Sequence, residues 1–182
     1  MNTTDWRIVV MGVSGCGKST VGEKLAVALA ARFIDGDSLH PEANKNLMAA
    51  GIPLNDENRW PWLDLVAEAL ADSAGSASAG TGISGTVVAC SALKRSYRDR
   101  ILAGAPNTFF IHLAGSRELL AKRMSSRGSH FMPLSLLDSQ LATLEPLASD
   151  EPGATFDIAL PMDTIVEKAL AELALAERAL DR

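Results

Sequence analysis

Short β-branched runs alternate along the chain with longer stretches in which apolar residues return every third or fourth position. The runs at residues 7–11, 32–35, 86–90, 108–113 and 155–160 predict strands. The stretches at 18–31, 41–50, 61–73, 94–103, 116–126 and 134–144 predict helices; in the first of these Val21, Leu25 and Leu29 fall four apart, as one helical face requires. Strands separated by one or two helices predict successive βα units: a three-layer, doubly wound α/β fold on a parallel five-stranded sheet. From residue 163 onward Val166, Leu170, Leu173 and Leu180, with charges between them, predict a surface helix that lays one apolar stripe on the sheet. Residues 73–85, SAGSASAGTGISG, gain little by ordering and read as a mobile connector into the third strand.

Composition narrows the function classes. At 182 residues the chain reads as one domain, 1–182, long enough to bury a substantial core. A net charge of −5 argues against broad nucleic-acid or membrane-surface binding, which uses excess Lys and Arg to offset phosphate charge. Any anion site must therefore be local. No apolar stretch approaches the length of a membrane span. The polar residues 1–7 lead straight into the first strand, so no secretory leader is expected. Cys16 and Cys90 are too few for a disulfide framework, and the expected location is the cytoplasm.

The local anion site is legible. Gly12-Val13-Ser14-Gly15-Cys16-Gly17-Lys18-Ser19 matches GxxxxGK[ST] and opens directly after the apolar run Ile8-Val9-Val10-Met11. A glycine-rich connector is the bland alternative; the β-branched run before it and the helical period after it favour a phosphate loop. Gly12, Val13, Ser14, Gly15, Cys16, Gly17, Lys18, Ser19 and Thr20 are the expected ATP contacts. The glycines let backbone N–H groups curl around phosphate oxygens, Lys18 supplies a point charge, and the Ser19 hydroxyl can hold Mg²⁺. The second strand ends in Asp35-Gly36-Asp37, and strand C-termini face the ligand crevice in an open α/β sheet. We assign Asp37 to the proton of an attacking hydroxyl and Asp35 to the metal shell, with a solvated turn as the alternative. The third strand ends without an acid, which leaves Asp35 the nearest metal-side carboxylate by topology. Arg123 and Arg127, four apart, share one helical face, either a basic surface or a phosphate clamp.

Beyond these, Asp37-x-Leu39-His40-Pro41, Asn44, Met48, Gly51, Pro53-Leu54, Asp56, Arg59, Pro61-Trp62-Leu63, Cys90-Ser91-Ala92-Leu93-Lys94, Tyr97-Arg98-Asp99, Arg127-x-x-His130-Phe131, Ser139-Gln140 and Leu144-Glu145 together resemble the gluconokinase family. The resemblance covers about residues 8–161. It implies a phosphate-loop, nucleoside-monophosphate-kinase-like fold close to the shikimate kinases, and transfer of the ATP γ-phosphate to the 6-hydroxyl of D-gluconate. Gluconate is a polyol with one carboxylate. Arg59, whose fork matches two carboxylate oxygens, is the candidate for that end, with an exposed surface arginine beside Glu57 as the alternative. His40, Lys94 and His130 are polyol candidates beside Asp37; His40 could instead cap the helix near Pro41, and Lys94 could be solvated. The resemblance further implies that residues 123–133 form a lid bringing Arg123 and Arg127 to the transferring phosphoryl, that adenine lies near 159–161, and that the protein is a homodimer. Two positions depart from the family pattern: Leu47 where a lysine is common, and Asn58 where an acid is common. A shikimate-kinase-like enzyme and a non-enzymatic ATP-sensing module are the rival readings.

Overall fold

The structure, a computed structural model, describes residues 5–72, 85–126 and 134–180. β1 (Trp6–Met11) is the central strand, and its run Ile8, Val9, Val10 and Met11 is fully buried because both faces of the sheet are covered. Around it the chain runs α1 (Lys18–Ala28), β2 (Arg32–Asp35), a short 3₁₀ turn (Gly36–Leu39), α2 (Glu42–Ala49), α3 (Asp56–Ala71), β3 (Gly85–Ala89), α4 (Arg95–Gly104), β4 (Phe109–Ala114), α5 (Arg117–Ser126), α6 (Leu134–Thr143), β5 (Gly153–Asp157) and α7 (Met162–Leu180). The sheet order is β2-β3-β1-β4-β5, every pair parallel, with Ile8 level with both Val87 and Phe109.

Side chains alternate across each strand, so one run of residues feeds two cores. Ile8, Val10, Val87, Ile111 and Leu113 pack on one face with Val21 and Leu25 of α1, Leu120 of α5, Leu137 of α6 and Ile165, Ala169 and Leu173 of α7. Val9, Met11, Val88 and Phe110 pack on the other with Trp62, Leu63, Val66 and Leu70 of α3 and Tyr97 and Ile101 of α4. The three layers are those the sequence pattern predicts, and α7 lays its stripe on the sheet as expected.

Boundaries differ where local chemistry outweighs periodicity. α3 starts at Asp56, five residues before the predicted 61, because Asn55 and Asn58 form a reciprocal cap: each side-chain oxygen accepts the other's backbone N–H, at 2.8 and 3.2 Å. Pro61 therefore sits inside the helix, one turn in. Asn58, the departure from the family's acid, makes this cap. α1 stops at Ala28 instead of 31, where Ala30 turns to a φ of 50°. β5 spans Gly153–Asp157 instead of 155–160, since Asp157 closes a turn, its carboxylate accepting the Ala159 N–H at 2.8 Å and its carbonyl the Leu160 N–H at 3.2 Å. The predicted connector at 73–85 lies outside the described residues except for Gly85, which opens β3.

Candidate active site

The turn between β1 and α1 is built by backbone that side chains resist. Gly12, Gly15 and Gly17 take φ of 140°, 83° and 100°. At Gly12 there is also no room: a Cβ would stand 2.7 Å from the Leu113 carbonyl oxygen. α1 then begins with no side-chain cap on its first N–H groups, which leaves those donors and the helix dipole for an anion. The Lys18 ammonium donates to the Val13 carbonyl at 3.1 Å, holding the loop closed on itself, and the Gly12 N–H reaches the Ser91 carbonyl at 3.3 Å, tying the loop to the end of β3. Burial pushes the Cys16 thiol up from its ordinary value, so it adds no negative charge to the site.

Opposite lies the turn after β2. Gly36 lets it press against β3, since a Cβ there would meet the Ala89 carbonyl at 2.5 Å. Trp62 fixes the turn from below, donating its indole N–H to the Gly36 carbonyl at 2.8 Å. Asp35 accepts the Asp37 N–H on Oδ1 at 3.0 Å, and Ser38 donates to the Asp35 carbonyl at 2.6 Å. Among the described residues the Asp37 carboxylate takes no hydrogen bond. The result is one cavity of about 210 Å³ lined by Ser14, Gly15, Gly17, Lys18, Ser19, Asp35 and Asp37. Phosphate loop and paired acids face each other across it.

Two of the predicted acceptor residues, Arg59 and Lys94, fall in a second cluster on the α3 and α4 side. Lys94 donates to both oxygens of Asp56, at 2.9 and 2.8 Å, and Tyr97 donates its hydroxyl to the same carboxylate at 2.5 Å. Arg59 donates to the Tyr97 hydroxyl at 3.3 Å and stands 5.8 Å from its ring centre. The hydrogen bonds from Lys94 and Tyr97 hold the Asp56 carboxyl below its usual range, and Asp56 in turn raises Lys94. Lys94 is thus paired rather than freely solvated. His40 is buried, stacked on Trp62 with centroids 4.2 Å apart, and meets Asn44 at 3.2 Å. It makes no side-chain cap for α2. Burial lowers its pKa, so the ring is neutral at physiological pH.

Arg123 donates to the Ile158 carbonyl at 2.6 Å, beside the turn predicted to meet adenine. It also lies near enough to the loop for its charge to offset a part of the upward push that burial gives the Cys16 thiol, and its neighbour Met124 packs where a Gly15 side chain would go. Arg127 and His130 lie outside the described residues.

Sequence reasoning gave no role to five residues that organise the site. Asp56 and Tyr97 link Lys94 to Arg59, and Gln140 reaches the loop amide of Ser14 at 2.7 Å. Arg98, wholly buried, pairs with Glu151 at 2.5 and 2.9 Å and donates to the carbonyls of Ala92, Leu93 and Glu145, which fixes the segment leading to Lys94. All but Glu151 stand within the motifs that carry the family resemblance. The Asp56–Arg59 spacing of three becomes a helical neighbour pair only once the helix is seen to start at Asp56, so no local signal marked it.

A parallel sheet that offers a glycine loop and two acids to one cavity defines a phosphate-loop kinase, and residues 8–147 match the family described as an AAA domain. The chain resembles a gluconokinase of Gluconobacter oxydans, 48% identical over 145 residues that cover 80% of this chain and 78% of that one. A probable gluconokinase of Xenopus tropicalis is 40% identical over 91% of this chain and 92% of its own. The crystal structure of a gluconokinase from Sinorhizobium meliloti is 48% identical, covers 98% of each chain and superposes with a TM-score of 0.84. The chain belongs to the gluconokinase family.

Proposed function

We propose that the protein is a cytoplasmic gluconokinase that uses ATP and Mg²⁺ to phosphorylate D-gluconate at its 6-hydroxyl, giving 6-phospho-D-gluconate and ADP. The observation that carries this reading is the shared cavity, in which Lys18 and Ser19 confront Asp35 and Asp37, in a chain whose relatives are gluconokinases.

Phosphoryl transfer asks a protein mainly for positioning and charge neutralisation. The loop amides and Lys18 grip the donor phosphates. Asp37, unencumbered by hydrogen bonds among the described residues, accepts the proton of the 6-hydroxyl as that oxygen attacks. The Ser19 hydroxyl and the Asp35 carboxylate are hard oxygen donors on one cavity, the kind of set Mg²⁺ takes alongside water and phosphate. The Asp37 N–H on Oδ1 orients the Asp35 carboxylate, which together with the Ser19 hydroxyl would hold a hydrated ion. When bound, the ion offsets phosphate charge. Arg123 and Arg127 neutralise the migrating phosphoryl, Arg59 receives the carboxylate of gluconate, and His40, Lys94 and His130 frame the polyol.

A coupled ADP-release assay with a panel of acceptors tests the reading. Release is expected with gluconate and not with shikimate or nucleoside monophosphates. Release with shikimate or a nucleotide alone contradicts the acceptor assignment, and tight ATP binding without acceptor-dependent release would make the protein a sensor.

A further inference from the structure

The phosphate loop makes one contact with a distant helix. The Ser14 N–H donates to Oε1 of Gln140, on α6, at 2.7 Å across 126 positions of chain. A backbone N–H needs an acceptor, so the carboxamide is oriented by this bond: its oxygen faces the loop, and its NH₂ group lies beside it with two donors. Among the described residues that NH₂ group takes no partner.

Gln140 does not hang from a loose element. Leu137, one turn earlier on α6, is fully buried in the core beneath the loop. Asp138 accepts two bonds from Arg117 of α5, at 2.6 and 2.9 Å, and just past the helix the Glu145 N–H reaches the Leu93 carbonyl at 2.8 Å. α6 is therefore fastened to α5 on one side and to the segment before Lys94 on the other. Ser14 lines the same cavity as Lys18, Ser19 and the two acids, so the space beside it is where phosphate oxygens gather. There a neutral amide supplies donors, whereas a carboxylate would repel the phosphates.

The geometry points to Gln140 as a donor-phosphate-binding residue: with its oxygen anchored on the Ser14 N–H, it turns its NH₂ group to the phosphate oxygens held over the loop. α6 thereby takes part in gripping ATP. The inference rests on the nucleotide-binding reading of the loop and is independent of which acceptor is used.

Calorimetric titration of ATP into the full-length wild type, Gln140→Glu and Gln140→Ala, with a thermal melt and the gluconate KM of each, tests it. Gln140→Glu keeps an oxygen for Ser14 but replaces two donors with a charge, and its Kd for ATP is expected to rise at least about tenfold, the loss of one hydrogen bond to a charged group. Gln140→Ala loses the same hydrogen bond without adding a charge and is expected to weaken ATP about tenfold, with the gluconate KM unchanged in both. A glutamate variant that binds ATP like wild type overturns the proposal. So does an alanine variant that binds tighter, which would make the carboxamide a competitor that the nucleotide must displace. If Gln140→Glu does not fold, the alanine arm decides. A wild type that binds no ATP overturns the nucleotide reading of the loop instead.

Discussion

Lys94, Asp56, Tyr97 and Arg59 form a continuous chain of hydrogen bonds, and the Tyr97 hydroxyl is its middle link, donating to Asp56 and accepting from Arg59. That arrangement makes Tyr97 the residue that aims the guanidinium fork. Tyr97→Phe is expected to raise the gluconate KM about three- to tenfold, the net worth of one ordinary hydrogen bond, while the ATP KM stays unchanged. Steady-state kinetics with each substrate varied in turn measures this, and equal effects on both KM values would contradict it. The phosphate loop could be read from sequence because its chemistry is contiguous: eight residues carry the turn, the charge and the hydroxyl. The Lys94–Asp56 and Ser14–Gln140 contacts span 38 and 126 positions, and no local period records them. His40 shows the reverse difficulty. Its ring could have served polyol or helix, and only the fold reveals that it is stacked on Trp62.

At the scale of elements, periodicity located the strands and helices and local capping set their ends. α3 is the instructive case, since a proline so near a helix start suggests the first turn, whereas the Asn55 and Asn58 side chains carry the start five residues back. Asn55→Ala is expected to cost about 1 kcal/mol of stability, the usual worth of an N-cap. Urea denaturation measures it, and an unchanged midpoint would mean the cap is not holding the helix. Because α3 carries both Asp56 and Arg59, the same variant is expected to raise the gluconate KM. β5 was placed too late because Ile158 and Leu160 look like strand residues. The Asp157 side chain, bonded to the Ala159 N–H, ends the strand before them. The order β2-β3-β1-β4-β5 was not legible, because the four paired interfaces use similar apolar runs that do not name their neighbours.

Across the whole molecule, buried ionisable groups link stability to pH. Burial lowers His40, and burial together with the charge of Arg98 lowers His112, whose Nε2 has no partner among the described residues. The unfolded chain, with histidines near 6.5, then binds protons that the native state refuses, so stability is fully present above that value and is lost as pH falls below it. Burial alone would raise Glu151, but the hydrogen bonds from Arg98 and the Ala148 N–H outweigh it and leave the carboxyl below 4.5. Its contribution is present above 4.5 and is lost as pH falls through the lowered value. Thermal melts are expected to lose about 2–4 °C between pH 7.5 and 5.5, the shift that 1 kcal/mol produces at this chain length. The double variant His40→Gln, His112→Gln should flatten that slope, and a slope it leaves untouched would assign the effect elsewhere. The account as a whole depends on the loop and the acid turn meeting at one cavity, with Asp37 serving the hydroxyl and not the nucleotide. The most direct test is Asp37→Asn, with ATP affinity by calorimetry and gluconate-dependent ADP release measured on one preparation. The account predicts an ATP Kd close to wild type and transfer lost; a loss of ATP binding in step with transfer, or transfer preserved, would contradict it.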